Sequence, residues 1–240
     1  MNRFLIISVC SLIIFSSCHY FHGEHIDGNG TIKKESRTVG VFNSVEAGGA
    51  IDVYVRQDSS RSVNIETDEN LLPYVEIRND GDVLYIRTKR GYNLDPSKSV
   101  KVYVSSPVFK MLQVSGASKI ISENTLSSDG PINVGLSGAS DAGLDLKCPK
   151  VTVNVSGAST ITVKGETKDL SIEGSGASHI KCFDLLSETV DVDVSGATSA
   201  EVFASVKLNA GASGASNVRY KGNGAVTEDE NGASSVEKAN

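Results

Sequence analysis

Four residues recur along this chain at nearly constant spacing, and that recurrence constrains the fold more than any other feature. Ser-Gly-Ala-Ser, or Ser-Gly-Ala-Thr, begins at Ser115, Ser137, Ser156, Ser175, Ser195 and Ser213, with a weaker seventh copy at Asn231. The intervals are 22, 19, 19, 20, 18 and 18 residues. Similarity at a fixed period of this length marks stacked structural repeats, in which each unit buries its apolar face only against its neighbours. One elongated body is therefore expected from the 240 residues.

The residues around the motif give the internal register. Counting back from each motif serine, positions −5, −3 and −1 are Ile132, Val134, Leu136, then Val151, Val153, Val155, then Val190, Val192, Val194. Counting forward, +5 and +7 are Ala142 and Leu144, Ile161 and Val163, Ile180 and Cys182, Ala200 and Val202. Period-two alternation on both sides of the motif means two strands per repeat, each with one inward face. The motif is then the corner between them, where Gly takes the positive φ of a sharp turn and Ala is small enough to sit inside it. The remaining residues of each repeat, such as Ser127–Pro131, Lys147–Lys150 and Gly165–Asp169, vary in length and form a third, looser side.

Three sides per turn predict an all-β fold, a right-handed parallel β-helix (β-solenoid) with 18–22 residues per coil. Right-handedness is expected because the period drifts rather than holding the strict multiple of six of left-handed solenoids. Aromatic residues make up only 6% of the chain and Trp is absent, which suits thin stacked strands better than a core of large rings. Regular coils are expected over 115–222. Residues 37–114 read as an irregular opening of short strands, in which Gly48-Gly49-Ala50 looks like a degenerate corner and Asn79-Asp80-Gly81-Asp82 like a hairpin turn.

The two ends read differently. Met1-Asn2-Arg3 followed by the apolar run Phe4 to Phe15 has the form of a signal peptide, expected over 1–17, and too short to span a bilayer. Phe15-Ser16-Ser17-Cys18 resembles a bacterial lipoprotein cleavage box, with Cys18 as the lipidated first residue of the mature chain; ordinary secretion is the alternative. His19 stands where an Asp would retain such a lipoprotein in the inner membrane, so a lipid-anchored place in the outer membrane of a Gram-negative bacterium is expected. Residues 18–36, rich in Gly and polar side chains, are expected to be a flexible tether. Residues 223–240 are expected to be a C-terminal cap and tail, with the acidic Thr227–Asn231 segment closing the open end and 235–240 fraying.

The chemistry is sparse. Loss of the signal takes Arg3 and no acid, leaving 22 basic residues against 29 acidic ones, a charge of −7 that argues against nucleic acid as a partner. Cys148 and Cys182 are expected to be free, buried thiols. His179, next to inward Ile180, is expected to face solvent. His19, His22 and His25 are spaced by three around Glu24, but a Gly-rich tether offers nothing to orient metal ligands, so no metal and no cofactor are expected. Ser-Gly-Ala-Ser lacks the second Gly of a nucleophile elbow, and Asp141, Glu173, Asp191 and Asp193 are scattered rather than clustered as in β-helical polysaccharide enzymes. No catalytic residue is assigned. The stacked hydroxyls of Ser118, Ser140, Ser159, Ser178, Thr198 and Ser216 form the one candidate binding ladder, although such a column can equally do no more than build the corner.

The order of motifs carries a resemblance. Val39-Gly-Val-Phe42, Ile51-Asp-Val-Tyr-Val55, Asp68-Glu-Asn-Leu-Leu72 and Leu84-Tyr-Ile86, followed by Ser115-Gly-Ala-Ser118 and its copies, resemble the putative auto-transporter adhesin, head GIN domain family across roughly residues 38–220. Gly130-Pro-Ile-Asn133 approaches the repeat that gives the family its name. The resemblance implies a right-handed β-helix similar to pectin lyases without their catalytic residues, and a role in cell adhesion. The expected function is thus a non-catalytic, lipid-anchored envelope protein, an adhesin or surface-binding module that meets a polysaccharide or a protein receptor. A carbohydrate-active β-helical enzyme and a periplasmic structural or envelope-signalling partner are the alternatives.

Overall fold

The computed structural model describes residues 23–239. The signal peptide at 1–17, the lipidation residue Cys18, His19 and His22 lie outside the described residues. In chain order the opening part forms β1 (Glu24–Asp27), β2 (Ile32–Arg37), β3 (Ser44–Gly48), β4 (Ile51–Gln57) and β5 (Ser62–Asp68). After a short 3-10 turn at Glu69–Tyr74 come β6 (Val75–Asp80), β7 (Val83–Thr88), β8 (Tyr92–Asp95) and β9 (Val100–Ser106).

The expected tether is corrected here, because residues 24–37 are woven into the fold. β1 pairs in parallel with β8, and β2 pairs antiparallel with β5. The Gly-rich composition serves close approach rather than flexibility. A Cβ on Gly28 would lie 2.4 Å from Oδ2 of the buried Asp68, so only glycine lets the backbone pass there.

Coils do not stack in chain order at this end. β3 and β4 form one coil, joined by a corner at Gly49 (φ +89°) and Ala50 (φ +65°), as the degenerate Gly-Gly-Ala copy predicts. The chain then runs outward: β7 lies parallel against β3 and β9 against β4, on the side away from the later coils. Antiparallel strands cover these outer edges, β6 over β7 through the Gly81 hairpin and β5, then β2, over β9. Reversed strands end the parallel stack, so a further coil cannot add in the same direction, and β2 and β6 become its edges.

The chain returns to the other face of β3 and β4 and builds the regular stack. Its strands are β10 (Met111–Ser115), β11 (Lys119–Ser122), β12 (Leu126–Ser127), β13 (Ile132–Leu136) and β14 (Asp141–Val155). They continue as β15 (Thr160–Gly174), β16 (His179–Val194), β17 (Ser199–Gly214), β18 (Asn217–Lys221), β19 (Ala225–Gly232) and β20 (Ser235–Lys238). The result is a β-solenoid of about 6 turns. All pairings from β10 onward are parallel, and the registers join equivalent residues of successive repeats: Val134, Val153, Ile172, Val192 and Ala210 form one column. No member of that column is more than 3% exposed. Each such Val or Ile contributes roughly 1.5–3 kcal/mol of hydrophobic stabilisation.

The third side is irregular, as its variable length predicts: register shifts fall between Thr162 and Gly165 and between Cys182 and Thr189. At the C-terminal end the seventh motif copy forms a true corner, with Gly232 at φ +85°. Residues 235–238 pair with β18 instead of fraying. In β19 the inward columns change character: Val226, Glu228 and Glu230 stack on Leu208, Ala210 and Ala212. Acid at two of three inward positions ends the apolar column, consistent with the capping role expected for 227–231.

Candidate interaction surface

The motif corner decides which side chains can meet a partner. At Ser156–Ser159, Gly157 takes φ +78° and the amide of Ala158 donates to the carbonyl of Gly138 in the preceding coil at 2.7 Å. The glycines stack so closely that a Cβ on Gly157 would lie 2.3 Å from the Gly138 oxygen. Ala158 faces outward and is exposed, so the small residue does not fill the corner. The fourth residue does. Ser159 is 0% exposed, and its Oγ donates to the carbonyl of Ser156 at 3.0 Å. Ser140, Ser178 and Ser216 make the equivalent bond at 2.8, 2.9 and 2.8 Å.

This corrects the candidate ladder. Ser118, Ser140, Ser159, Ser178, Thr198 and Ser216 are all between 0 and 2% exposed, and no partner can touch them. Ser118 Oγ accepts the amide of Ile51 at 3.3 Å. Thr198 Oγ1 has no hydrogen-bond partner, and its role is steric. A Cβ on Gly174 would meet Thr198 Cγ2 at 3.0 Å, so the threonine methyl fills room that the missing Gly174 side chain leaves. The signal was in the numbering: the parity that turns +5 and +7 inward also turns +3 inward.

The accessible hydroxyls are instead those of the first motif serines, which border a flat wall. This first wall comprises the strands before each corner: β3, β10, β13, the later halves of β14, β15, β16 and β17, and β19. Its middle outward column runs Glu46, Gln113, Gly135, Asn154, Glu173, Asp193, Gly211 and Asp229. Beside it run Met111, Asn133, Thr152, Ser171, Asp191, Asn209 and Thr227. These two columns carry no Lys or Arg, but one step farther from the corner Lys150 on β14 and Lys207 on β17 stand exposed on the same wall. The middle and serine columns line a shallow groove of about 620 Å³. At the N-terminal border, Arg87 and Arg78 are held by Glu76 and Asp80 at 2.8 and 3.1 Å.

The other sides differ in chemistry. On the second wall, acids are neutralised across neighbouring coils: Asp145 by Lys164 at 3.4 Å and Glu201 by Arg219 at 3.1 Å. Tyr54 and Tyr103 stack there with centroids 5.1 Å apart. His179 faces solvent on this wall, as expected. The third side holds a groove of about 1120 Å³ with mixed charge, including a Lys147–Glu166 pair at 3.0 Å. Cys148 and Cys182 are free and buried, as the register required. Burial raises the pKa of the Cys148 thiol and pushes that of Cys182 up to about 12, so neither is poised as a nucleophile.

Among the described residues one group has metal-ligand geometry: His25, Asp27 and Asp95 on the β1–β8 ribbon, all exposed. His25 Nε2 lies 3.1 Å from Asp27 Oδ1 and 3.9 Å from Asp95 Oδ2, close enough for an ion pair without a metal. The sequence pointed at His25 through the wrong neighbours, since Asp95 arrives only by strand pairing. No described helix is long and apolar enough to cross a membrane.

A parallel β-solenoid with a polar wall and closed hydroxyl corners defines the class: a rigid repeat scaffold. The chain belongs to the putative auto-transporter adhesin, head GIN domain family, whose model matches residues 41–224. A crystal structure of a putative adhesin from Bacteroides fragilis NCTC 9343 is similar, with a TM-score of 0.82 at 18% identity over 89% of this chain and 100% of that one. A putative adhesin from Parabacteroides merdae ATCC 43184 matches at 27% identity and TM-score 0.72, over 91% of this chain and 100% of that one. Another from Parabacteroides distasonis ATCC 8503 matches at 25% identity and TM-score 0.73, over 90% and 100%. No curated protein matches this chain.

Proposed function

We propose that this protein is a non-catalytic adhesin or surface-binding module, held in the outer membrane by lipid on Cys18, with the first wall as its contact face. Family membership supports the adhesive role. The single observation that carries the choice of face is the wall's composition. Eight parallel strands present hydroxyl, amide and carboxylate groups in straight columns, with Lys150 and Lys207 at the edge farthest from the corner. Parallel strands backed by a packed core hold such groups rigidly, so a partner meets them with little ordering cost on this side. The Phe15–Cys18 box supports anchoring, since the several acyl chains of a lipidated N-terminal cysteine bind a bilayer stably.

Protease shaving of intact cells tests the reading. Release of solenoid fragments from whole cells, together with retention of the protein in the outer-membrane fraction, is the expected result. Complete protection in intact cells with cleavage only after lysis would overturn adhesion and leave the periplasmic role. Clear product release from neutral or acidic polysaccharides would overturn the non-catalytic assignment.

A further inference from the structure

We infer that the β1–β8 ribbon seats this protein on a phospholipid headgroup layer, with the solenoid rising from it and the β19–β20 end standing farthest out; this rests on the reading of Cys18 as the lipid anchor. Covalent reach carries the inference. Gly23 is five residues beyond Cys18, and five residues of fully extended chain span at most about 18 Å. Gly23 is itself fixed on the fold: a Cβ there would lie 3.4 Å from the Gly91 oxygen, and the Glu24 amide donates to that same oxygen at 2.8 Å. β1 continues the attachment in parallel with β8. Whatever path residues 19–22 take, the Gly91 turn lies within about 20 Å of the acylated cysteine. The far end lies well beyond that reach. From β7 the first wall passes through β3, β10, β13, β14, β15, β16 and β17 to β19. Successive strands about 4.8 Å apart put β19 on the order of 40 Å from β7.

The surface chemistry of the ribbon fits headgroups. Lys89 and Arg90 are exposed at its turn, and among the described residues neither is in an ion pair. Lys89 Nζ lies 5.9 Å from the centroid of the Tyr92 ring, and Tyr92 leans on Tyr74 with centroids 4.6 Å apart. Tyrosine beside lysine and arginine suits a membrane interface, where apolar rings and stems settle inward and polar tips stay wet. Glu24, Asp27 and Asp95 are exposed on the same ribbon, and His25 lies 3.1 Å from Asp27. Cations and carboxylates side by side match zwitterionic headgroups, each with a phosphate and an ammonium group, better than an anionic surface. The rest of the corner edge gives no such hold, since it presents the small, exposed Ala139, Ala158, Ala177 and Ala197. One end is therefore seated rather than the whole length, and the first wall runs outward from the bilayer.

The test uses the protein purified from membranes and reconstituted in vesicles of phosphatidylethanolamine and phosphatidylcholine. Mass spectrometry of the N-terminal peptide reads acylation of Cys18. A donor fluorophore is attached through Asn93→Cys on β8 or Thr227→Cys on β19, both exposed positions. Unsubstituted protein labelled alike gives the background from the buried Cys148 and Cys182. Energy transfer to an acceptor on the lipid headgroups reads the height of each position. Transfer from position 93 is expected to exceed that from position 227 about threefold or more, given the reach of the anchor and the length of the stack. In the protein labelled at 93, Lys89→Gln/Arg90→Gln is expected to lose about a third of the signal, as the turn lifts from the headgroups. Lys119→Gln/Lys181→Gln, an equal charge change at exposed positions of the second wall, is expected to leave the signal unchanged. Unchanged circular dichroism and melting show that the variants are folded. Equal transfer from the two positions in acylated protein means that the stack lies flat; it overturns the inference and leaves the anchor standing. An unchanged signal in the turn variant, or an equal loss in both variants, overturns the headgroup contact. Absence of acyl chains on Cys18 overturns the anchoring reading itself, and the inference with it.

Discussion

Asp68 and Ser97 are joined twice: the Ser97 amide donates to Asp68 Oδ2 at 2.9 Å, and the Ser97 hydroxyl donates to Oδ1 at 2.7 Å. The amide of Gly30 adds a third bond to Oδ1 at 2.7 Å, so one buried carboxylate ties the 28–30 loop and the loop before β9 to the end of β5. Burial alone would raise its pKa, but these hydrogen bonds outweigh it and hold the Asp68 carboxyl below the usual carboxylate range.

A carboxyl with a depressed pKa in the fold contributes stability above its unfolded value, near 4, and loses it as pH falls through the folded value. Asp68→Asn sets an amide group against the Ser97 N–H and is expected to cost about 1–3 kcal/mol at neutral pH. Chemical denaturation from pH 7 down to pH 3 checks this: the gap between wild type and variant should narrow below about pH 4. A gap that stays constant would show that the charge of Asp68 plays no part.

Ser159→Ala and Ser156→Ala separate the two hydroxyl columns. Ser159 Oγ donates within the corner and also accepts the amide of Ser140 at 3.3 Å, so its loss leaves a buried amide poorly partnered. The expected cost is about 1–2 kcal/mol, read as a lower melting temperature. Ser156, half-buried at the edge of the groove, is expected to cost under about 0.5 kcal/mol, as surface substitutions do. The reverse order would contradict the corner assignment.

Cys182, with its pKa pushed up to about 12 and no exposed surface, is expected to resist iodoacetamide in the folded protein at pH 8 and to react at once in denaturant. Peptide mass mapping after timed alkylation gives the result directly. Native labelling at the rate of a free thiol would mean that the coil around β16 opens readily.

Glu228→Val/Glu230→Val extends the apolar column to the last strand. β19 is exposed along its whole length, and inward charges discourage edge-to-edge pairing of such strands. The double variant is expected to self-associate in sedimentation velocity at concentrations where the wild type does not. An unchanged sedimentation profile would show that the two glutamates are not what protects this end.

Much of the fold was legible because a stacked repeat writes its register into the sequence. Val134, Val153 and Ile172 occupy the same place relative to the motif in every copy, so counting alone puts them in one column. The free state of Cys148 and Cys182, the solvent-facing His179 and the irregular corner at Gly49 and Ala50 follow from the same counting, and the hairpin at Gly81 follows from the turn residues Asn79–Asp82. The candidate site was less legible. The serine ladder was assigned by repetition, which does not say which side of the chain a hydroxyl faces. Residues 24–37 read as a tether because glycine carries the same signal for flexibility as for the close approach at Gly28 and the positive φ at Gly30.

What the sequence alone determined is the period, the corner and the inward columns, because these are local properties of alternation and of glycine's freedom to take positive φ. What only the tertiary structure decided is non-local. The coil β7–β9 lies outside β3–β4, Asp68 gathers two loops into the cap, Asp95 comes beside His25, and Glu173, Asp191 and Asp193 share one wall. Each of these depends on which strand pairs with which, and that choice is set by how the whole stack buries its surface.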